Sequence, residues 1–264
     1  MTVCLTGDVH HMSLKTRDQM HMDRSELSVA VEYAEVAGSH DVPVTLFVTG
    51  KAVEEEPAAI DRLAAMDHVE LGGHNYYAFG TPIHKLFRGL TGSWNGPQRF
   101  QSWEVGRTLD ALGDAGASVD AWRDHAYRYD EHTAGVLADH GITHFSDAVG
   151  PGERVREEDG VTVVPINTPP DHEHVYHAFR TPEFVAADDF AGPFGAESSS
   201  IGEWLNWVLD SADERVRAGE PATVLSHPAC MCLADGFAAF EDLCRALADR
   251  ETIQLSSVAP SSEA

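Results

Sequence analysis

The chain has 264 residues, with 43 Asp and Glu against 18 Lys and Arg, a formal net charge of −25 and a hydrophobic content of 43%. It can bury a sizeable core as one large domain or two small ones. It offers no basic patch that would release counterions from nucleic acid, and no run approaches the ~18 apolar residues of a membrane span.

Spread over roughly 11,000 Å² of folded surface, this charge amounts to one net negative charge per about 450 Å². Molar salt shrinks the screening length to about 3 Å, so the composition predicts adaptation to a salt-rich cytoplasm. An acidic docking face for a basic partner is the alternative, but the acids run along the whole chain. The opening MTVCLTGDVHH has no basic region followed by a long apolar stretch, so a cytoplasmic, soluble protein is expected. The oligomeric state leaves no sequence signal. Four cysteines are too few for a disulfide scaffold in a chain of this length, and Cys230-Met-Cys232 reads as a pair of ordinary thiols near a strand end, with a soft-metal site as the alternative.

The elements alternate. Thr2–Thr6 is predicted to be a buried strand, and Ser25–Gly38 a helix with Ser25 as its N-cap. A β-branched strand follows at Pro43–Val48, then a helix over Glu54–Met66 and a short strand at His68–Leu71. Gln101–Ala115 reads as a helix, Val119–Trp122 as a strand, and Glu131–His140 as a helix stopped by Gly141. Ile142–Phe145 and Val161–Val164 are further strands. Ser200–Arg217 is a long amphipathic helix, Ala222–Ser226 a strand, Asp235–Asp249 a helix and Thr252–Leu255 a last strand. Two long irregular connections remain, Gly73–Phe100 and Pro165–Ala196, of the length that usually makes lids or walls. This alternation predicts a parallel sheet with helices outside. Without a linker, or a G-x-G-x-x-G after any strand, a closed or nearly closed single-domain (β/α) barrel is preferred over an open doubly wound sheet.

Active sites of such barrels form at the C-terminal strand ends. The first strand delivers Thr6-Gly7-Asp8-Val9-His10-His11 there and the third Gly72-Gly73-His74-Asn75. The fourth delivers Trp122-Arg123-Asp124-His125, and the penultimate one Leu225-Ser226-His227-Pro228. Four strand ends thus bring acid/base or metal-binding side chains to one rim.

In order and spacing these segments resemble the polysaccharide deacetylases, the carbohydrate esterase family 4 group, from Thr2 to about Phe240. Thr6–His10 is similar to the family's Asp-Asp or Asp-x-Asp motif, and Val44–Gly50 to its apolar second strand. Glu70–His74 resembles the lead-in to its metal-histidine motif and Trp122–Tyr127 its Arg-x-Pro-x-Gly motif. Thr133–Asp147 follows as in the family, and Leu225–Pro228 matches the closing Leu-x-His. The resemblance implies a distorted (β/α) barrel and a divalent metal, Zn²⁺ being expected, that assists N-deacetylation of an acetamido sugar or a related small amide. It implies Asp8 as general base, His227 as general acid and Arg123 as the partner that keeps Asp8 ionised. The chain departs from the family in two places. His10 stands where the second Asp would bind metal, and Ala78 where the second metal histidine falls. The ligand set is therefore expected to be His10, His74 and His125, with His84 and then His11 as the other candidates for the third place. A barrel that has lost its metal and only binds carbohydrate or metal is the alternative.

The stretch Asn167–His177, rich in histidine, can line a substrate groove, hold a second metal or be a plain polar loop. Tyr76, Tyr77, Phe79, Trp94 and Phe100 suit stacking on a sugar or packing of their own loop.

Overall fold

The computed structural model describes residues 2–259. In chain order its elements begin with β1 (Thr2–Val9), α1 (Glu26–Ser39), β2 (Val44–Val48), α2 (Gly50–Glu55), α3 (Pro57–Ala64) and β3 (Val69–Gly73). Then come α4 (Pro82–Thr91), α5 (Gln98–Asp114), β4 (Ala121–Trp122), α6 (Thr133–Asp139), β5 (His144–Phe145), β6 (Arg156–Glu158) and β7 (Val161–Val163). The rest are α7 (Asp171–His174), α8 (Pro182–Ala187), α9 (Ile201–Arg217), β8 (Ala222–Leu225), α10 (Pro228–Asp235), α11 (Ala238–Ala248) and β9 (Glu251–Thr252). The strands form one curled sheet in the order β6-β7-β5-β4-β3-β2-β1-β8, with β9 beside β1. Every pairing is parallel except β6 with β7.

β1 is buried along almost its whole length, as a strand covered on both faces must be. Its side chains divide by the period of two. Val3, Leu5 and Val9 join the large core with Leu27, Tyr33, Val208 and Phe240, between the sheet and the outer helices. Cys4 packs on the other face with Phe47, Ala121 and Val164. Thr6 and Asp8 share the inner face of Cys4, which carries Asp8 up the inside of the barrel to its rim.

The sheet does not close by strand pairing between β7 and β8. Two side chains bridge the gap instead. Asn167 Nδ2 donates to the Pro221 carbonyl and its Oδ1 accepts from the Thr223 N–H, both at 2.9 Å, while Thr168 Oγ1 donates to the Thr223 carbonyl at 2.8 Å. The Asn167 amide does here what a peptide group of a neighbouring strand would do.

Several predicted boundaries change. The helix expected over Glu54–Met66 breaks into α2 and α3, because Pro57 disfavours the helical conformation for the residue before it, and Glu56 sits at φ −138°, ψ 59°. The two connections expected to be irregular contain α4, α7 and α8. α10, which starts at a proline and has no long apolar stripe, precedes the expected Asp235–Asp249 helix. β6 was not expected; it forms an antiparallel edge. The last strand, expected over Thr252–Leu255, shifts to Glu251–Thr252, and Leu255 opens a short 3-10 turn instead.

Candidate active site and metal centre

The rim residues converge. Asp8 ends the inner row of β1, and the Arg123 guanidinium, wholly buried, donates from Nη1 to Asp8 Oδ1 at 2.9 Å and to Thr6 Oγ1 at 3.1 Å. Its other nitrogens are spent on Ser146, Nε to the carbonyl at 3.0 Å and Nη2 to the hydroxyl at 2.8 Å, with Phe47 beneath the plane. A buried charge with four of its five N–H groups bonded is held in one orientation. Burial favours the neutral form of Asp8, but Arg123, then His74 and His227, outweigh it and hold the carboxyl down at about 2.

His227 lies across from it, with Nε2 3.7 Å from Asp8 Oδ2. Its Nδ1 donates to Asp171 Oδ1 at 2.7 Å and its backbone N–H to Asp171 Oδ2 at 2.6 Å. Burial disfavours the imidazolium, yet the charges of Asp171, Asp8 and Glu173 prevail and push the ring up to about 10.

Beside this pair stand His10, His74 and His125, one ring nitrogen of each lying within 4.8 Å of the others. His10 Nε2 is 3.0 Å from His125 Nδ1 and 3.3 Å from His74 Nε2. The outer nitrogens explain the inner ones. His74 Nδ1 donates to the Arg123 carbonyl at 2.8 Å, and burial holds that ring neutral, down at about 3, so its Nε2 presents a lone pair. The Glu26 carboxylate accepts from both the backbone N–H and Nδ1 of His10, at 2.7 and 3.0 Å, and from Gln19 Nε2 at 2.9 Å. In the neutral ring the His10 Nε2 lone pair therefore faces that of His74. Two lone pairs cannot bond one another, whereas a divalent cation is bound by such a set at ~2.0–2.1 Å per nitrogen. The donor set fits a metal.

Local backbone geometry places His125. The Trp122 ring packs flat on Gly73, where a Cβ would come within 2.3 Å of it, so β4 approaches β3 closely. The His125 N–H donates to Asn75 Oδ1 at 2.7 Å, and Ala126 and Tyr127 follow in the left-handed region, each at φ 55°, a strain of ~1–3 kcal/mol per residue.

All six residues expected at the site are thus brought together. The two reserve ligands are not. His84 donates or accepts between Thr81 Oγ1 at 2.7 Å and Glu104 Oε2 at 3.2 Å, inside the first long connection. His11 turns to Thr49 Oγ1 at 3.2 Å. The aromatic residues of that connection pack on one another, Phe79 against His84 and Trp94, and Phe100 against His84 and Phe87. None of the five is among the residues lining the pocket; Tyr76 pairs with Tyr77, and Phe79 also meets the His125 ring edge-on at 6.1 Å.

The pocket over Asp8, His10, His125 and His227 holds about 290 Å³. It adjoins a groove of about 720 Å³, with Arg17, Tyr127, His172 and Phe179 bordering both. The second connection, not the first, supplies the wall. Sequence reasoning missed Asp171 and Glu26 as the partners of His227 and His10. Asp171 sits in the singled-out histidine-rich stretch, directly after Pro169-Pro170. Glu26 reads in sequence as an ordinary acid in a helix's first turn, and nothing marks it otherwise.

No family model matches the chain, and no curated protein matches it in sequence. Solved structures do. A protein described as a polysaccharide deacetylase from Mycobacterium smegmatis superposes with a TM-score of 0.70 at 19% identity, over 96% of this chain and 86% of that one. PuuE allantoinase gives 0.65 at 10% identity, over 96% and 86%. A family 4 carbohydrate esterase pseudoenzyme from Bacillus anthracis gives 0.51 at 13% identity, over 95% and 62%. At these identities the likeness establishes the fold. It is the distorted (β/α) barrel of the polysaccharide deacetylases.

Proposed function

We propose that the chain is a divergent member of the polysaccharide deacetylase family, a single catalytic domain that hydrolyses non-peptide carbon–nitrogen bonds with a divalent metal. The preferred substrate is an acetamido sugar or a related small amide. One observation carries this reading. A buried carboxylate and a carboxylate-backed imidazole face each other at 3.7 Å beside three imidazoles that bring one ring nitrogen each within 4.8 Å of the others.

The roles follow from the protonation states. Ionised Asp8 accepts a proton from the attacking water, and Arg123 keeps it ionised and aimed. A carboxylate held this far down is a weak base toward ordinary water; a divalent ion on His10, His74 and His125, Zn²⁺ by its donor type, would acidify that water to about 7 and polarise the carbonyl. His227, protonated at neutral pH, gives its proton to the departing amine. Asp171 restrains the ring through Nδ1, so Nε2 is the nitrogen that faces the reaction.

The pocket of about 290 Å³ lies at the lower end of small-molecule sites and supports a soluble sugar conjugate or metabolite as substrate. Among the described residues no helix is long and apolar enough to cross a membrane. The net charge of −25 supports residence in a salt-rich cytoplasm.

A pair of substrates separates the roles. Replacing His227 with Ala is expected to cost on the order of 10²–10⁴ in turnover of an acetylated amine and little on an aryl acetate, whose phenolate leaves unaided. Asp8→Asn is expected to lose on both. Equal losses on the two substrates for the His227 variant would remove it as the acid. A second reading, a carbohydrate- or metal-binding barrel without catalysis, draws on Ala78 at the place of a metal histidine and on the likeness to a pseudoenzyme. Metal bound at the three histidines without turnover of any acetylated amide or ester would establish it.

A further inference from the structure

A second cluster of donor atoms lies against the same pocket and shares no residue with the first. Asp18 comes from the turn before α1, His172 from α7, His177 from the strand-like segment after it, and Cys230 from the first turn of α10. One donor atom of each lies within 4.8 Å of all the others. Their separations are those of ligands around one ion. His177 Nε2 is 3.2 Å from Asp18 Oδ1 and His172 Nδ1 is 3.5 Å from Asp18 Oδ2. Cys230 Sγ is 3.4 Å from His177 Nε2 and 3.6 Å from His172 Nδ1. Tetrahedral zinc with bonds of ~2.0–2.1 Å to nitrogen or oxygen and ~2.3 Å to sulfur separates its ligands by ~3.3 Å and ~3.6 Å respectively.

Two further observations point to an ion rather than to a packed polar cluster. Asp18 is 5% exposed, and its Oδ1 faces His177 Nε2 at 3.2 Å outside hydrogen-bond geometry, so this buried carboxylate is compensated either by a protonated His177 or by a cation between them. The His177 ring is also set for ligation, because Nδ1 donates to the Val175 carbonyl at 2.9 Å and turns the Nε2 lone pair inward. Cys230 lies near Asp171 and His227 as well, but Asp171 already accepts from His227 Nδ1, the His227 N–H and the His172 N–H. Those two are committed to each other; the four are not.

We propose that Asp18, His172, His177 and Cys230 form a second metal site, closed and four-coordinate, for a divalent cation of borderline softness such as zinc. One thiolate, one carboxylate and two neutral imidazoles balance the charge of the ion and fill a tetrahedron, the arrangement of structural rather than catalytic zinc. The ion would pin three segments distant in sequence, all of which contribute to the pocket wall.

Cobalt titration of the metal-stripped full-length chain tests this, because only a cysteine-ligated Co²⁺ gives a thiolate-to-metal charge-transfer band in the near ultraviolet. The band is expected to saturate within two equivalents per chain, to saturate at one equivalent in His74→Ala, which removes the other site, to persist in Cys232→Ala, and to vanish in Cys230→Ala. If Cys230→Ala does not fold, His177→Ala keeps the thiol and is expected to weaken cobalt binding, read on the same band, about tenfold or more. No band at saturating cobalt overturns the site, as does a band that survives Cys230→Ala or an affinity unchanged in His177→Ala. None of these readouts depends on hydrolysis.

Discussion

His10, His74 and His125 stand just beyond β1, β3 and β4, whereas Asp18, His172, His177 and Cys230 come from a turn, the short helix α7, the segment after it and the first turn of α10. The first set is positioned by a parallel ladder, and three nitrogens around a divalent ion would leave coordination positions open. The second set has no such ladder beneath it, and its four donors would, in the proposed site, complete a tetrahedron around one ion. The contrast teaches a division of labour within one pocket. Strand-borne donors suit chemistry, because their geometry is prepaid by the core; loop-borne donors suit bracing, because the ion supplies order that the loop lacks.

The largest expected effect removes the support of the strand-borne side. Arg123→Met leaves Asp8 buried without its partner and is expected to cost ~3–5 kcal/mol of unfolding free energy, measured by denaturant titration. A loss below ~1 kcal/mol would show that the ladder alone orients Asp8.

Asp171 touches both sides, through His227 and through the His172 N–H, and its charge sets a pH dependence of known sign. The His227 ring is raised from its ordinary value of 6.5 to about 10, so the stability it contributes is full below 6.5 and is lost as pH rises through about 10. Asp171→Asn is therefore expected to lower the melting temperature by several degrees at pH 6 and by progressively less toward pH 10.5. The alkaline limb of kcat/KM should move to lower pH in the same variant. A wild-type–variant gap that does not narrow with pH would mean that the pair is held by shape and not by charge.

The smallest expected effect separates the two clusters most sharply. Glu26→Gln weakens the acceptor behind His10 and is expected to cost 10- to 100-fold in metal affinity at the three-histidine site, read by competition with a chromophoric chelator. The cobalt–thiolate band of the four-donor site should stay unchanged. A parallel loss at both would mean that the clusters are coupled and not independent.

The same contrast explains what was legible in the sequence. Asp8, His10, His74, Arg123, His125 and His227 could be found because each lies at, or just beyond, the end of an apolar run whose strand nature is clear. The barrel was legible from the alternation of such runs with helical stretches. Asp18 could not be found, since it is one of 43 carboxylates and its burial depends on loop packing. Cys230 looked like an ordinary thiol because its partners His172 and His177 lie more than fifty residues away. α7 and α8, of four and six residues, are too short to carry a helical period, and Asn167 gave no hint that its side chain would close the sheet.

That closure has a mechanical consequence. Between β7 and β8 the barrel is laced by three side-chain hydrogen bonds from Asn167 and Thr168, while β1, β2 and β3 are joined by continuous ladders of five residue pairs each. The lacing is the compliant side of an otherwise stiff ring. Splaying there moves Pro169–His177, hence the groove wall, without disturbing the strands that carry Asp8 and His74. Amide exchange at Thr223, whose N–H is held by Asn167 alone, should accordingly outpace that of the neighbouring β1 amides. Because Asp171 rides on that segment and holds His227 through two hydrogen bonds, splaying there would reach the imidazole while leaving Asp8 on its strand.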